Sequence, residues 1–507
     1  MFTPQPHRRI PMLMATQHPD NASIPFWSDQ AMVNTSQETE EMYECFFTLV
    51  CDEYMWDWEG KFADEAMIDR LMNKHPDTLK KHQIGRDRFI TLRIPNIWEE
   101  QTYKLSRAYM SILSAAEVTN EMGLTSPPVF EIILPMTKRG DQLIHVQRTF
   151  RQMAEMHSKI FDDHDFGEGY IHIVPLIETI KDFYAAATVL EDFIRLHEEE
   201  FGYKPPYLRP FIARSDPALN AGFVPAMLGS RMALREFYRV GKKHGLDVYP
   251  IIGTGSLPFR GGINPENIKS SLKQYEGVKT VSIQSAFRYD YPIEEVNEAL
   301  EYIRQECENP PNVEFSDEEF EGIYDLCKIF AECYRPTIEN YAERINEMAQ
   351  LIPSRRERVQ HVGLFGYGRE VGKVSLPRAI KFTASCYSMG VPPEFIGTGR
   401  ALKQVQEQGK MDLLRKHFST IEHELKHAGK FLNRENLEKW AKTESWALDV
   451  LADVNACEEV LGIKLGPEKD RHLLHKNLTT SIALKQKMGL DMQDDVLEAA
   501  VLRKSLG

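Results

Sequence analysis

The segment Tyr207-Leu-Arg-Pro-Phe-Ile-Ala-Arg214-Ser215-Asp216-Pro-Ala-Leu-Asn220-Ala-Gly222 decides the fold: it is a short apolar strand that stops at a charged, polar tip. Val248-Tyr-Pro-Ile-Ile252 repeats the pattern and runs into Gly253-Thr-Gly-Ser-Leu-Pro-Phe-Arg260-Gly-Gly262. A helical stretch, Ala226 to His244, separates the two. Strand, helix, strand is the unit of a parallel sheet, because parallel neighbours need a crossover. In such proteins the chemistry collects at the carboxyl ends of the strands. A carboxylate on one tip and a glycine-framed arginine on the next suit a metal and an anion.

Working outward, further strand candidates are Met12–Thr16, Phe89–Ile94, Val129–Leu134, Gly169–Leu176, Thr280–Gln284 and His361–Phe365. Each is rich in Ile, Val, Leu or Phe and is followed by polar or glycine-containing sequence. Amphipathic stretches such as Leu143–Ile160, Lys181–Glu200 and Ile293–Glu306 lie between them. With the two opening strands this makes eight, the count of a (β/α)8 TIM-type barrel. The strand signal fades after Ser375, and Gly429–Gly462 and Arg471–Gly507 read as helix. The expected organisation is a barrel over residues 1–400 and a helical C-terminal layer over 401–507, packed together as one unit. The one long linker candidate is Glu308-Asn-Pro-Pro-Asn312.

Composition narrows the class. The chain has 507 residues, 42% hydrophobic and 27% charged, enough for a sizeable core in a soluble protein. Sixty-one Lys and Arg against 75 Asp and Glu leave a net charge of −14, which argues against broad binding to nucleic acid. An acidic protein that handles an anionic substrate has to concentrate its arginines locally. The seven cysteines are odd in number and form no CxxC pair, so they read as reduced thiols. No apolar run reaches membrane-spanning length and the start lacks a signal-peptide core, so the expected compartment is the cytoplasm.

Each candidate residue carries a plain reading beside the functional one. His18, in Ala15-Thr-Gln-His-Pro-Asp20, is held extended by the following proline, either as a loop histidine or as a presented ring. Glu178, in Val174-Pro-Leu-Ile-Glu-Thr179, is a cap or ion-pair partner of the next helix, or a metal ligand. Asp216 on the neighbouring tip raises the second option, because adjacent parallel strands bring two carboxylates within reach of one cation. Hard oxygen donors select Mg²⁺ or Mn²⁺ over zinc. The glycine loop with Arg260 is neither a phosphate-binding Walker loop nor a dinucleotide fingerprint. It is a surface turn or a mobile lid that closes a cation over an anion. Arg93, Arg369 and Arg378 are ordinary ion-pair residues unless they converge on one barrel face, where their planar forks would suit phosphate or carboxylate.

Together these pieces resemble the phosphoenolpyruvate carboxylase family in its short, archaeal-type form. The resemblance runs through essentially the whole chain, including Met12-Leu-Met-Ala-Thr-Gln-His-Pro-Asp-Asn21 and Arg214–Gly222. Against the longer bacterial and plant enzymes only motifs match, in the same order. Thr16-Gln-His-Pro is similar to T-A-H-P-T, which makes His18 the implied catalytic histidine. Pro175-Leu-Ile-Glu-Thr179 resembles P-L-F-E-T and Ser215–Gly222 resembles S-D-S-A-K-D-A-G, implying Glu178 and Asp216 as metal ligands. Gly253–Gly262 resembles G-R-G-G-S-I-G-R-G-G, with Arg260 on the second arginine. Arg93 falls on L-D-I-R-Q, Arg369 on G-S-R-P and Arg378 on S-L-R-A-I, as implied substrate-binding residues. Ala441-Lys442 resembles part of M-V-L-A-K, and Leu502–Gly507 a worn terminal M-Q-N-T-G, so Lys442 and Arg503 are implied in an effector site or in closure. Leu219 and Thr254 depart from the family, standing where the long enzymes have a lysine and an arginine.

The resemblance implies carboxylation of phosphoenolpyruvate by bicarbonate, through carboxyphosphate and a metal-stabilised enolate, to oxaloacetate and phosphate. That reaction replenishes C4 dicarboxylic acids; Mg²⁺ or Mn²⁺ and a homotetramer are implied with it. Two other classes are distinguishable. A barrel lyase or phosphotransferase acting on phosphoenolpyruvate or pyruvate would share the carboxylates and arginines but not bicarbonate-dependent oxaloacetate formation. A non-enzymatic helical scaffold would bind no metal and tolerate loss of His18.

Overall fold

The computed structural model describes residues 9–58, 66–99, 103–161, 170–357, 369–371 and 374–507. At its centre eight parallel strands pair in chain order and close into a barrel. They are β1 Leu13–Thr16, β2 Glu53–Asp57, β3 Phe89–Arg93, β4 Val129–Leu134, β5 His172–Ile177, β6 Phe211–Ala213, β7 Ile251–Gly253 and β8 Thr280–Ile283. Closure is made at β1, where Ala15 is the register partner of Tyr54 on one side and of Ile283 on the other. Crossover helices such as Gly140–Phe161, Ala186–Phe201 and Phe223–His244 return each strand to its parallel neighbour. The fold is the TIM-type barrel with a helical layer that the strand pattern implied.

One expected strand is replaced. The barrel closes through β2, and His361–Phe365, expected as the eighth strand, lies outside the described residues. Arg93 therefore ends the third strand, and Glu178 follows the fifth. The strand Glu53–Asp57 is hard to see in sequence because Asp52, Glu53 and Asp57 interrupt its apolar residues. In the fold each acid has a partner. Asp52 accepts the backbone N–H groups of Met12 and Leu13 and pairs with Arg9. Glu53 meets Arg209, and Asp57 meets Arg93. A buried carboxylate is tolerable when its charge is paired and its oxygens are hydrogen-bonded.

The barrel interior is layered. Met14, Met55, Ile133, Val174, Leu176, Phe211 and Ile251 form an apolar cluster inside it. Near the start of the strands a buried ionic cluster takes over. There Arg209 Nη1 donates to Glu53 Oε1 at 2.9 Å and also reaches Glu131, while Nη2 donates to Thr280 Oγ1 at 3.1 Å. These charges neutralise one another, and in barrels of this kind the chemistry lies at the opposite, carboxyl end of the strands.

Beyond β8 the chain is mostly helical. The helix Asp317–Ala349, 33 residues long, starts from a capping box in which Ser316 and Glu319 satisfy each other's backbone N–H groups. It packs against Phe223–His244, Thr398–Glu407 and Ser445–Leu461. A small antiparallel hairpin, β9 Arg369–Val371 and β10 Val374–Leu376, precedes the last helices. After the helix Gln493–Leu502 the chain does not fray: Arg503, Ser505 and Leu506 are each at most 3% exposed. All seven cysteines are free. Among the described residues no helix is long and apolar enough to cross a membrane.

Candidate active site

Five of the implied residues lie at the exits of the barrel strands. His18 follows β1, Arg93 ends β3, Glu178 follows β5, and Asp216 sits in the first turn of the helix Ser215–Ala221 after β6. Arg260 closes the turn Pro258–Arg260 after β7. The loop after β1 is fastened to the exit of β8. The His18 carbonyl accepts from Ser285 Oγ at 2.8 Å, and the ring Nδ1 lies 2.9 Å from Thr16 Oγ1. Pro19 keeps this segment out of the helical region, so the ring is presented rather than folded into a helix.

Arg260 is the hub. Its side chain is 1% exposed, yet its donors are well used. Nε donates to Ser215 Oγ at 3.2 Å, Nη1 to Asp20 Oδ2 at 3.0 Å and to the Gly507 oxygen at 2.6 Å, and Nη2 to Gln284 Oε1. Burial pulls the guanidinium below its usual pKa, and the carboxylates of Asp20 and Asp216 act against that pull. The glycines make this compact loop possible: a Cβ built on Gly255 would sit 2.7 Å from Arg260 Nη1. One arginine thus joins the exits of β1, β6, β7 and β8 to the last residue of the chain.

Several of these partners were not singled out from the sequence. Asp20 is fully buried; besides Arg260 it accepts from the Ala286 N–H at 2.7 Å, and its carbonyl accepts the Leu506 N–H at 2.7 Å. Its signal was present, an acid directly after the His-Pro pair. Gln284, the polar residue closing the β8 segment, offered the same kind of signal. Asp57 offers none, since the acids around it break the apolar pattern of its strand.

Arg93 is held by Asp57 in a two-point ion pair, with Nε to Oδ1 at 2.9 Å and Nη2 to Oδ2 at 2.6 Å. Gln17, the neighbour of His18, accepts the Asp57 backbone N–H at 3.0 Å, which links the first and second strand exits. Arg378 is half-buried and caps the helix Ala379–Ser388 through its backbone, next to the Arg260 turn. Arg369 begins β9, opposite Leu376, and that strand packs against the helix carrying Asp216. Lys442 is exposed in the turn after Arg434–Trp440 and shares no hydrogen bond or ion pair with Arg503 among the described residues. Arg503 is buried instead behind the chain end, where Nη2 donates to the Leu506 carbonyl at 2.6 Å and Nη1 lies 3.5 Å from His475 Nε2. Burial pulls it down to about 9.

The two departures from the family pattern are also explained locally. Leu219 is fully buried in the main core, with its carbonyl accepting from Tyr334 Oη at 2.9 Å. Thr254 is buried, and its N–H donates to Ser282 Oγ at 3.2 Å.

Glu178 and Asp216 are carboxylates, the donor type a hard divalent ion takes. Glu178 is 4% exposed and Asp216 half-buried, on strands whose register pairs Ile177 with Ile212. Among the described residues no group of three or more His, Cys, Asp or Glu is placed to cage a metal.

Comparison with known proteins agrees with the geometry. A family model described as phosphoenolpyruvate carboxylase matches residues 10–507. A protein of Leuconostoc mesenteroides named phosphoenolpyruvate carboxylase is 38% identical over 477 residues, covering 94% of each chain. Proteins of the same name from Metallosphaera sedula and Picrophilus torridus are 35% and 34% identical, over 99% and 98% of this chain and 100% and 99% of theirs. With a barrel whose strand exits carry His18, Arg93, Glu178, Asp216 and Arg260, and a match of this extent, the chain belongs to the phosphoenolpyruvate carboxylase family.

Proposed function

We propose that this chain carboxylates phosphoenolpyruvate with bicarbonate, giving oxaloacetate and inorganic phosphate. The observation that carries the reading is the enclosure of Arg260: a buried cation, bracketed by Asp20 and Gln284, beside the loop that presents His18. A bicarbonate oxygen attacks the phosphorus, the bond from phosphorus to the enol oxygen breaks, and carboxyphosphate and the enolate of pyruvate result. His18 takes the carboxyl proton, so carboxyphosphate falls apart into CO2 and phosphate. The enolate carbon then attacks CO2. Arg93, Arg369 and Arg378 carry the negative charge of the phosphate and carboxylate groups through their planar forks. When a divalent cation such as Mg²⁺ is bound, Glu178 and Asp216 would hold it and it would supply Lewis-acid polarisation of the developing enolate oxygen. Arg260 excludes water, which would otherwise protonate the enolate and release pyruvate.

The barrel and the helical extension over residues 401–507 act as one unit in this reading, supported by the bond from Arg260 to Gly507. Lys442 receives no role; Arg503 serves closure, through the carbonyl of Leu506. Assembly as a homotetramer belongs to the same reading. Its support is the set of apolar side chains left half or more exposed on the helix Asp470–Met488, among them Leu474, Leu484 and Met488, which a second copy would cover. The test is a coupled assay for oxaloacetate, with and without bicarbonate and Mg²⁺. Product that forms without bicarbonate would end the reading.

A further inference from the structure

Two buried carboxyl groups that the reaction above does not use bracket the turn carrying Arg260. Glu394, in the turn Pro393–Phe395, accepts the Phe259 backbone N–H at 2.7 Å and the Tyr387 hydroxyl at 2.8 Å. Glu424, on the helix Ile421–Gly429, accepts Gln274 Nε2 at 2.8 Å. It also meets the far end of the turn: a Cβ built on Gly262 would lie 2.8 Å from Glu424 Oε2. Phe259 and Gly262 flank Arg260, so the two glutamates touch the turn on either side of it.

The hydrogen bonds are one-sided. At Glu394 both donors aim at Oε1, at Glu424 the donor aims at Oε1, and in each residue Oε2 is buried without a hydrogen-bond partner. Both side chains are at most 1% exposed. An ionised carboxylate spreads its charge over two oxygens, and leaving one of them dry and unpaired is costly. A neutral carboxyl carries no net charge to desolvate, so a bare, buried Oε2 costs less in that state.

The surroundings favour the same state. Glu394 faces Tyr387 and Cys386 on the helix Ala379–Ser388 and lies near Glu424. Glu424 faces Tyr275 and Gln274, with Arg214 and Lys430 as the nearby cations, and Arg503 acts on Tyr387. Burial pushes Glu394 up to about 7 and Glu424 up to about 8, where the charge of Glu394 adds to the rise. Two carboxyls this close cannot both ionise cheaply.

We propose that Glu394 and Glu424 are positioning residues for Arg260: as neutral carboxyls they hold the Pro258–Gly262 segment from both sides, and ionisation of either loosens the turn that presents the guanidinium. This rests on the reading of Arg260 as a residue of the reaction. An ionised Oε2 has to draw a donor or water into a dry contact, and at Glu424 that contact is the backbone of Gly262. Arg214, whose Nη1 is buried without a partner, is the cation that waits beside it. The reaction therefore loses efficiency as pH rises through the range in which these groups titrate.

The test is oxaloacetate formation by the full-length enzyme with Mg²⁺, across about pH 6 to 9, which spans both groups. The chains compared are the wild type, Glu394→Ala, Glu394→Gln, Glu424→Gln and Arg260→Ala. Glu394→Ala is expected to lose about tenfold or more in kcat, because a displaced reacting group costs up to about a hundredfold. Glu394→Gln, which keeps a carbonyl for the Phe259 N–H, is expected to restore most of that loss. The wild type is expected to show an alkaline fall in kcat/KM, which both glutamine variants should flatten or displace. Wild-type pH profiles in both glutamine variants, with oxaloacetate abolished by Arg260→Ala, would overturn the proposal and leave the reading of Arg260 standing. A fully active Arg260→Ala would instead remove that reading, and the proposal with it. Should the glutamine variants fail to fold, difference infrared spectroscopy of the wild type decides: a neutral-carboxyl band lost over the same pH range supports the proposal, and its absence rejects it.

Discussion

Arg260 and Gly507 are 247 positions apart in sequence and 2.6 Å apart in the fold, with the guanidinium Nη1 donating to the oxygen of the last residue. The same guanidinium holds Asp20, whose carbonyl in turn accepts the Leu506 N–H at 2.7 Å. The chain end is thus a wall of the site. A Cβ on Gly507 would come within 2.1 Å of the Ile380 carbonyl oxygen, so only glycine fits there.

Gly507→Ala is therefore expected to push the last residue away from Arg260. Oxaloacetate formation should drop by about a hundredfold, the scale on which small misplacements act. Thermal stability should change far less, by about 1 to 3 kcal/mol at most, since the strain sits at a chain end. Deletion of Arg503–Gly507 should have the same kinetic effect, with a larger stability loss because buried Leu506 goes too. Unchanged turnover in Gly507→Ala would show the contact to be incidental.

His18→Asn separates the two halves of the reaction. Asparagine keeps a polar side chain near Thr16 but cannot take up the carboxyl proton. Oxaloacetate formation should fall by about 10² to 10⁴, the usual weight of a general base, while some bicarbonate-dependent phosphate release survives. Both products are measured in one time course. Parallel loss of the two would place His18 in the first half-reaction instead.

Asp216→Asn tests the cation site. A neutral amide is a weaker oxygen ligand for a hard ion, so the Mg²⁺ concentration for half-maximal activity should rise at least about tenfold. Direct Mn²⁺ binding, read by electron paramagnetic resonance without substrate, should weaken alongside. If both curves match the wild type, Asp216 is not a ligand.

A fourth prediction concerns stability and pH. Glu41 accepts Arg288 Nη2 at 2.9 Å and the Tyr54 hydroxyl at 2.9 Å, and it also pairs with Arg356. Burial alone would raise its carboxyl, but Arg356 and Arg288 bring it down to about 2. The folded value lies below the ordinary value of 4.5, so the contribution to stability is present above about 4.5 and is lost as pH falls through 2. Glu41→Gln should cost about 3 to 5 kcal/mol at neutral pH, the usual penalty for leaving a buried charge unpaired. Urea unfolding at successively lower pH should show the gap to the wild type closing. A constant gap would mean the loss is one of packing rather than charge.

The fold was legible wherever a strand is apolar along its length. Phe211–Ala213 and Ile251–Gly253 show their burial in composition, because a parallel strand covered on both faces favours hydrophobic residues. Glu53–Asp57 escaped because its charges are neutralised by residues up to 156 positions away, Arg209 for Glu53 and Arg93 for Asp57. Strand identity there depends on long-range pairing that no local window contains.

For the site, the sequence by itself determined the residue types and their order along the chain: a histidine after the first strand, carboxylates after two neighbouring strands, and an arginine in a glycine loop. Those follow from strand periodicity and from the chemistry of each side chain. Only the tertiary structure decided which of them meet. Asp20, Gln284 and Ser215 surround Arg260 because barrel closure sets β1 beside β8 and β6 beside β7. Gly507 joins them because the final helices return to the barrel mouth, while Lys442 stays at the surface. The physical reason is that burying a guanidinium requires partners from every side, and such partners come from separate strand exits.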